Sequence, residues 1–269
     1  MEDKKKRRNT AKQKNTAKRK RKRRNQQKTD VISITILIVA VCVFVFSLYQ
    51  LAMLLVPYYF GGQEYDEVKK LVITTEKTAE GEEKFQVDFE ALQEENSDTV
   101  AWIRFDEPAV ISYPVVKGMD NDLYLTKTFS ASDNKLGAIF MDYRNASSFS
   151  DRNTIIYGHN LKVGGEMVSQ LNAYGDEAFY KEHPYFYIYT PDGKTRTYQV
   201  FVAGVVSDQA ENYTLEFESD ETYLAYLEAC KNSSAYQTDA SVGAGSSIVT
   251  LSTCTNVRDD ERFIVQGVL

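Results

Sequence analysis

The run YFYIYTPDGKTRTYQVFVAGVV, residues 185–206, decides the fold class. Its first five residues and residues 195–206 are rich in β-branched and aromatic side chains, the composition of a strand on a half-buried pleated surface. Between them, Pro191-Asp192-Gly193 is turn chemistry, because Pro pre-sets φ and Gly tolerates φ > 0. The two segments therefore read as a β-hairpin. Similar segments recur in both directions from it. Upstream lie residues 98–105, with the single Trp102, then 110–116, 138–141 and 153–157; downstream lie 247–252 and 262–268. One amphipathic helix interrupts the later strands over residues 219–231, with Tyr223, Leu224, Leu227 and Cys230 on one face. Many short strands with few helices predict a mainly-β fold, either a closed barrel or a sandwich.

Toward the N-terminus the pattern changes. Residues 85–95 carry Phe85, Phe89 and Leu92 at helical spacing, 73–84 read as a polar, acidic loop containing Gly81, and 63–71 have helical composition. Residues 57–84 are thus expected to be a stalk or linker ahead of a globular domain over residues 85–269. Residues 31–56 are 26 residues without a charge, and about 20 apolar residues suffice to cross a bilayer as a helix. The stretch is too long for the core of a secretory signal, and no small-x-small cleavage site follows it. Pro57-Tyr58-Tyr59-Phe60 reads instead as an interfacial aromatic belt. A single N-terminal transmembrane signal anchor is expected over residues 31–56.

Charge is divided along the chain. Residues 1–30 hold 15 of the 32 Lys and Arg and three of the 38 acids, which leaves 17 basic against 35 acidic residues in the remainder. An acidic globular part repels phosphate backbones, so nucleic acid is not an expected partner. With a transmembrane segment following it, the basic run Lys18-Arg19-Lys20-Arg21-Lys22-Arg23-Arg24 reads as a cytoplasmic tail against anionic lipid headgroups. Residues 57–269 then lie on the outer side of a cell membrane.

Three cysteines give no disulfide framework. Cys42 falls in the membrane segment and Cys230 in a helical pattern, where a small buried thiol is the default; a Cys230–Cys254 bridge is the less favoured alternative. Cys254 differs, because Ile248-Val249-Thr250-Leu251-Ser252-Thr253 is a buried-strand pattern that ends in it. A side chain at a strand end is free to reach a cleft. His159 is in a comparable place, after the strand Ile155-Ile156-Tyr157 and Gly158. His183, in Lys181-Glu182-His183-Pro184, reads as a solvated loop residue. Arg262 opens a strand a short loop beyond Cys254, so the two strands are expected to pair and Arg262 to share the cleft. Arg258 competes for this role, but it lies in the loop. A thiol with a pKa of about 8.5 is activated by a neighbouring cation. An imidazole can protonate a departing amine and deprotonate an incoming one, and a guanidinium can hold an oxyanion through paired donors. Two histidines and two cysteines outside the membrane segment argue against a structural zinc site.

Thr250-Leu251-Ser252-Thr253-Cys254 with Arg262, together with Tyr157-Gly158-His159-Asn160, resembles the signatures of sortases, the transpeptidases of Gram-positive surfaces. The likeness covers most of residues 85–269. Asn96-Ser97-Asp98-Thr99-Val100-Ala101-Trp102-Ile103, Tyr113-Pro114-Val115-Val116, Asn121-Asp122-Leu123-Tyr124-Leu125 and Gly137-Ala138-Ile139-Phe140-Met141-Asp142 are similar to class B sortases, as is the helix before the cysteine strand. The resemblance implies an eight-stranded closed β-barrel with N-terminal helices, and neither metal nor cofactor. It implies Cys254 as nucleophile, His159 as general acid/base, Arg262 as substrate and oxyanion partner, and Ser252, Thr253 and Tyr157 as contacts of the peptide. Asn160 is expected to be a turn residue.

The implied partners are surface proteins with a C-terminal sorting signal and an amine of a peptidoglycan precursor. Cleavage after Thr would leave a thioacyl-enzyme on Cys254. A pilin-polymerising class B enzyme and a non-catalytic membrane-anchored binding domain are the alternatives. A papain-like hydrolase requires Cys before His, the reverse of this order, and the Ser-His-Gly-Cys context of an L,D-transpeptidase is absent. The sorting motif stays open between an Asn-Pro-x-Thr-Asn type and a Pro-x-Thr-Gly type.

Overall fold

Among the described residues, the first buried apolar side chain in the chain is Tyr65. The computed structural model describes residues 2–77, 83–108, 111–161 and 167–269, with side chains described at 16–22, 31–74, 85–108, 111–161 and 167–269. Two compact units result, Met1–Val56 and Pro57–Leu269. Helix α1, Glu2–Val72, supplies all of the first. From Val31 it is long and apolar enough to cross a membrane, and every side chain at 31–56 is exposed. The described part of the basic tail, residues 16–22, is exposed as well.

In the second unit the remainder of α1 does not stand apart as a stalk. Tyr65 and Val72 are buried in the main apolar cluster of the domain. Residues 73–84, expected to be a loop, instead contribute strand β1 (Ile73–Lys77), paired antiparallel with β2 (Glu83–Val87). A ladder satisfies the backbone of a polar segment whatever its side chains are, so local composition hid the hairpin. Gly81 lies outside the described residues. The helix expected from residue 85 begins later, as α2 (Phe89–Glu95), because Asp88 caps it by accepting from the Ala91 N–H at 3.0 Å.

The barrel is built from β3 (Thr99–Arg104), β4 (Ser112–Val116), β5 (Ile139–Met141) and β6 (Asn153–Tyr157), followed, after the short helix α3 (Glu177–Glu182), by β7 (Tyr185–Tyr189) and β8 (Thr195–Ser207). Helix α4 (Asp220–Ser233) precedes β9 (Ile248–Cys254) and β10 (Glu261–Val268). The strands close in the order β10-β8-β7-β3-β4-β5-β6-β9, the eight-stranded barrel that the resemblance implied. The strand expected from residue 110 is described from Ser112; residue 110 lies outside the described residues. The β7–β8 hairpin turns where expected, with Tyr189 opposite Thr195 and Gly193 at φ +77°. Trp102 is fully buried and its indole N–H donates to Ser112 Oγ at 3.0 Å. Truncating it to Ala would cost roughly 3–5 kcal/mol.

Helix α4 starts at a capping box between Ser219 and Thr222. It lays Tyr223, Tyr226, Leu227 and Cys230 against Phe201, Ile248 and Ile264 of β8, β9 and β10. Leu224, expected on this face, is exposed, and Tyr226 takes its place, held by a hydrogen bond from its hydroxyl to the Asn212 carbonyl at 3.1 Å. His183 is not a solvated loop residue. It caps the C-terminus of α3 and packs its ring against Phe179 at 4.8 Å.

Candidate active site

Two strand pairings bring the predicted residues together. Strands β6 and β9 run parallel with Tyr157 opposite Ser252. His159 and Cys254, each two residues further on, therefore leave the same end of neighbouring strands. Strand β10 runs antiparallel to β9 with Arg262 directly opposite Cys254. Alternation along β9 sends Thr250, Ser252 and Cys254 to one face and Leu251 and Thr253 to the other. His159, Cys254 and Arg262 line one cleft of about 280 Å³, with Tyr157, Ser252 and Leu125. A neighbouring hollow of about 620 Å³ shares Tyr157, Ser252 and Arg262 and extends to Tyr213 and Asp208. Thr253 also borders the cleft, but its side chain is buried.

The two thiols of this unit differ. Cys254 is exposed at the mouth of the cleft. Cys230 is buried, and burial pushes its thiol up to about 11, which makes it inert at neutral pH. Neither is in a disulfide.

His159 is held by its ring. Nε2 lies 2.8 Å from the Leu125 carbonyl, which can only accept, so Nε2 carries the proton and Nδ1 of the neutral ring is left with the lone pair. Gly137 lies against the Nε2–Cδ2 edge of the ring with φ +66°, a conformation that favours glycine. A Cβ there would stand 2.6 Å from His159 Cδ2.

Arg262 Nη1 donates to the carbonyls of Asp259 (2.7 Å) and Glu261 (2.9 Å). Its Nε and Nη2 make no hydrogen bond among the described residues, Nη2 standing 3.8 Å from Asp208 Oδ2. Arg258, the competitor, is absent from both hollows and pairs with Asp260 through two hydrogen bonds of 3.1 and 2.9 Å.

Several supporting residues had no local signal. Beyond the strand ends, Asn160 Nδ2 donates to the Cys254 carbonyl and Asn256 Nδ2 to the Asn160 carbonyl, each at 2.7 Å. Asn160 is thus more than a turn residue. Asn256 adopts φ 61°, which asparagine tolerates better than most residues. Tyr213 Oη shares a 2.7 Å hydrogen bond with Ser252 Oγ and stacks on Tyr157 at 6.5 Å; burial raises its phenol to about 12. Tyr157 donates to Asp142 Oδ2 at 3.1 Å. Burial opposes the charge of Asp142, but hydrogen bonds from Arg144 and Asn121 outweigh it and hold the carboxyl at about 2. Among the described residues no group of three or more His, Cys, Asp or Glu side chains is placed to hold a metal ion.

Comparison with known proteins shows the family. A sortase domain model matches residues 108–269. "Sortase B" of Listeria monocytogenes serovar 1/2a is 33% identical over 236 residues, 86% of this chain and 94% of that protein. "Sortase B" of Staphylococcus aureus is 32% identical over 186 residues, 68% of this chain and 75% of that protein. The crystal structure of sortase B from B. anthracis in complex with AAEK1 superposes with a TM-score of 0.69 at 33% identity, covering 80% of this chain and 98% of that one. A match that runs through the barrel and the segment before it makes this chain a member of the sortase family, in its class B branch, and hence a cysteine transpeptidase.

Proposed function

We propose that the protein anchors surface proteins to a cell-wall precursor, with Cys254 as nucleophile, His159 as general acid/base and Arg262 as oxyanion and substrate donor. The observation that carries this reading is the alignment of the three residues across β6, β9 and β10 at the mouth of one cleft. The sorting peptide lies along the two adjoining hollows, over Tyr157 and Ser252, and meets Thr253 only at its backbone. Cys254 Sγ attacks the carbonyl carbon of its Thr, and the Nε/Nη2 edge of Arg262 donates to the oxygen that becomes negative. The bond to the following nitrogen breaks, and the His159 imidazolium gives that nitrogen a proton from Nδ1. The resulting thioester is attacked by the precursor amine; His159 takes its proton, and the thiolate leaves as the new amide forms.

Residues 1–30 are the cytoplasmic tail on anionic lipids, 31–56 the membrane span, and the catalytic unit faces outward. The basic excess before the span and the acidic balance after it support this orientation. The test uses the full chain in detergent micelles with fluorogenic peptides of the Asn-Pro-x-Thr-Asn and Pro-x-Thr-Gly types. A mass increment equal to the acyl fragment is expected on Cys254, released by added amine. Absence of any adduct from Thr-containing peptides, with Cys254 still open to alkylation, would remove the reading.

A further inference from the structure

The acceptor that fixes the proton on His159 sits on a segment held from outside the barrel. Residues 124–138 are the later part of the connection from β4 to β5, and two groups that meet the His159 ring belong to it. Leu125 provides the carbonyl on Nε2, and Gly137 provides the bare α-carbon against the ring. This stretch is closed at its base, where the Ala138 N–H donates to the Tyr124 carbonyl at 3.0 Å. Its far side is gripped by the C-terminal part of α1. Tyr65, only 2% exposed, donates through its hydroxyl to the Gly137 carbonyl at 2.9 Å and accepts from the Phe129 N–H at 3.1 Å. Glu64 Oε1 accepts from the Ser130 N–H at 2.9 Å, and Asn134 Nδ2 donates to the Pro57 carbonyl at 2.9 Å. A buried hydroxyl that both donates and accepts has two directions fixed at once. The Tyr65 hydroxyl therefore sets the separation between Phe129 and Gly137, and with it the placement of the segment against His159.

We infer that Tyr65 and Glu64, in the residues just after the apolar stretch, are positioning residues for His159 that select its Nε2–H tautomer through residues 124–138. The inference rests on His159 being the general acid/base. Without the Tyr65 hydroxyl, the Gly137 carbonyl and the Phe129 N–H are buried without that partner and the segment shifts to satisfy them. The Leu125 carbonyl then loses its hold on Nε2, and the fraction of enzyme presenting Nδ1 to the cleft falls.

The test is ¹⁵N-histidine spectroscopy and kinetics on the full chain in micelles, where His159 and His183 are the only two histidines and His183→Gln assigns the signals. In the parent at a pH where the ring is neutral, the His159 shifts should show Nε2 protonated. In Tyr65→Phe they should move toward the mixed-tautomer average. Displacements of about 1 Å in such sites cost on the order of a hundredfold, so kcat should fall tenfold or more with KM within twofold. Glu64→Ala should follow in the same direction, and Glu64→Gln, which keeps an oxygen to accept from Ser130, should recover the parent values. This pair keeps the test decisive if Tyr65→Phe does not fold. Tyr185→Phe, the same chemical change at an exposed position on β7, should leave both readouts unmoved. Unchanged tautomer and kcat in Tyr65→Phe and Glu64→Ala, while His159→Ala is inactive, would overturn the inference alone. Full activity of His159→Ala would instead overturn the role of His159.

Discussion

Arg262 and Cys254 are direct cross-strand partners on β9 and β10. Residues opposite one another in an antiparallel pair project from the same face with Cβ atoms about 5 Å apart. The strand register alone thus places a permanent cation on the strand face that carries the thiol, with no loop needed to bring it there. Because Nη1 is committed to the Asp259 and Glu261 carbonyls, the guanidinium is braced from behind.

Arg262→Lys tests whether that brace and the paired donors matter. A lysine keeps the charge but has neither a fork nor a rigid second contact. Losing one preorganised oxyanion donor costs about 10²–10³ in kcat. Peptide cleavage by Arg262→Lys should fall by about that factor, measured with a fluorogenic peptide, with Cys254 still alkylated. Activity within a few fold of the parent would show that charge alone suffices.

The contrast between the thiols predicts selective labelling. At pH 7–8 iodoacetamide should modify Cys254 in the folded protein while Cys230, raised to about 11 by burial, reacts only after denaturation. Peptide mapping by mass spectrometry reads this directly. Equal labelling of the two sites in native protein would contradict it.

Asp142 predicts an acid transition. Its folded carboxyl lies at about 2, below the ordinary value near 4. A depressed folded value contributes stability that is complete above the unfolded value and lost as pH falls toward the folded one. The contribution should therefore be constant down to about pH 4 and disappear between about 4 and 2. Asp142→Asn should lower stability at pH 7 by roughly 2–3 kcal/mol and remove that acid component, as urea titrations across pH would report.

The two asparagines should act as a pair. Asn160→Ala and Asn256→Ala each remove one side chain-to-backbone hydrogen bond, worth about 1 kcal/mol, or about 2–4 °C in a domain of this size. Asn256→Ala adds roughly 1 kcal/mol of left-handed backbone strain at φ 61°. Because one bond braces the residue that makes the other, the double variant should lose less than the sum. Both single variants should reduce kcat more than KM, since they loosen the Cys254 backbone. Strict additivity in thermal melts would mean that the clamp is two unrelated contacts.

Much of this was legible in the sequence where the signal is local. Pro191-Asp192-Gly193 marked the hairpin, and each barrel strand showed as β-branched and aromatic residues between turn signals. The nearness of Arg262 to Cys254 followed from a short loop. What was hidden needed partners far along the chain. Strands β1 and β2 are polar and gain their identity only from each other. Helix α3 is too short to show a period. Asp142 is a surface-type residue until Arg144, Asn121 and Tyr157 surround it. The parallel pairing of β6 with β9, which places His159 beside Cys254, spans most of the barrel sequence and leaves no mark on either segment.

That parallel pairing also governs when the cleft can first assemble. Asn160 and Cys254 are 94 residues apart, and β9 reaches β6 only as the wall of the barrel shuts around it. A ribosome delivers the imidazole long before the thiol, and the guanidinium strand after both. An unfinished chain therefore carries His159 without Cys254 beside it. The thiol and the arginine opposite it share a local hairpin, but the imidazole joins them only when β9 pairs with β6, so the assembled cleft becomes a report of finished folding.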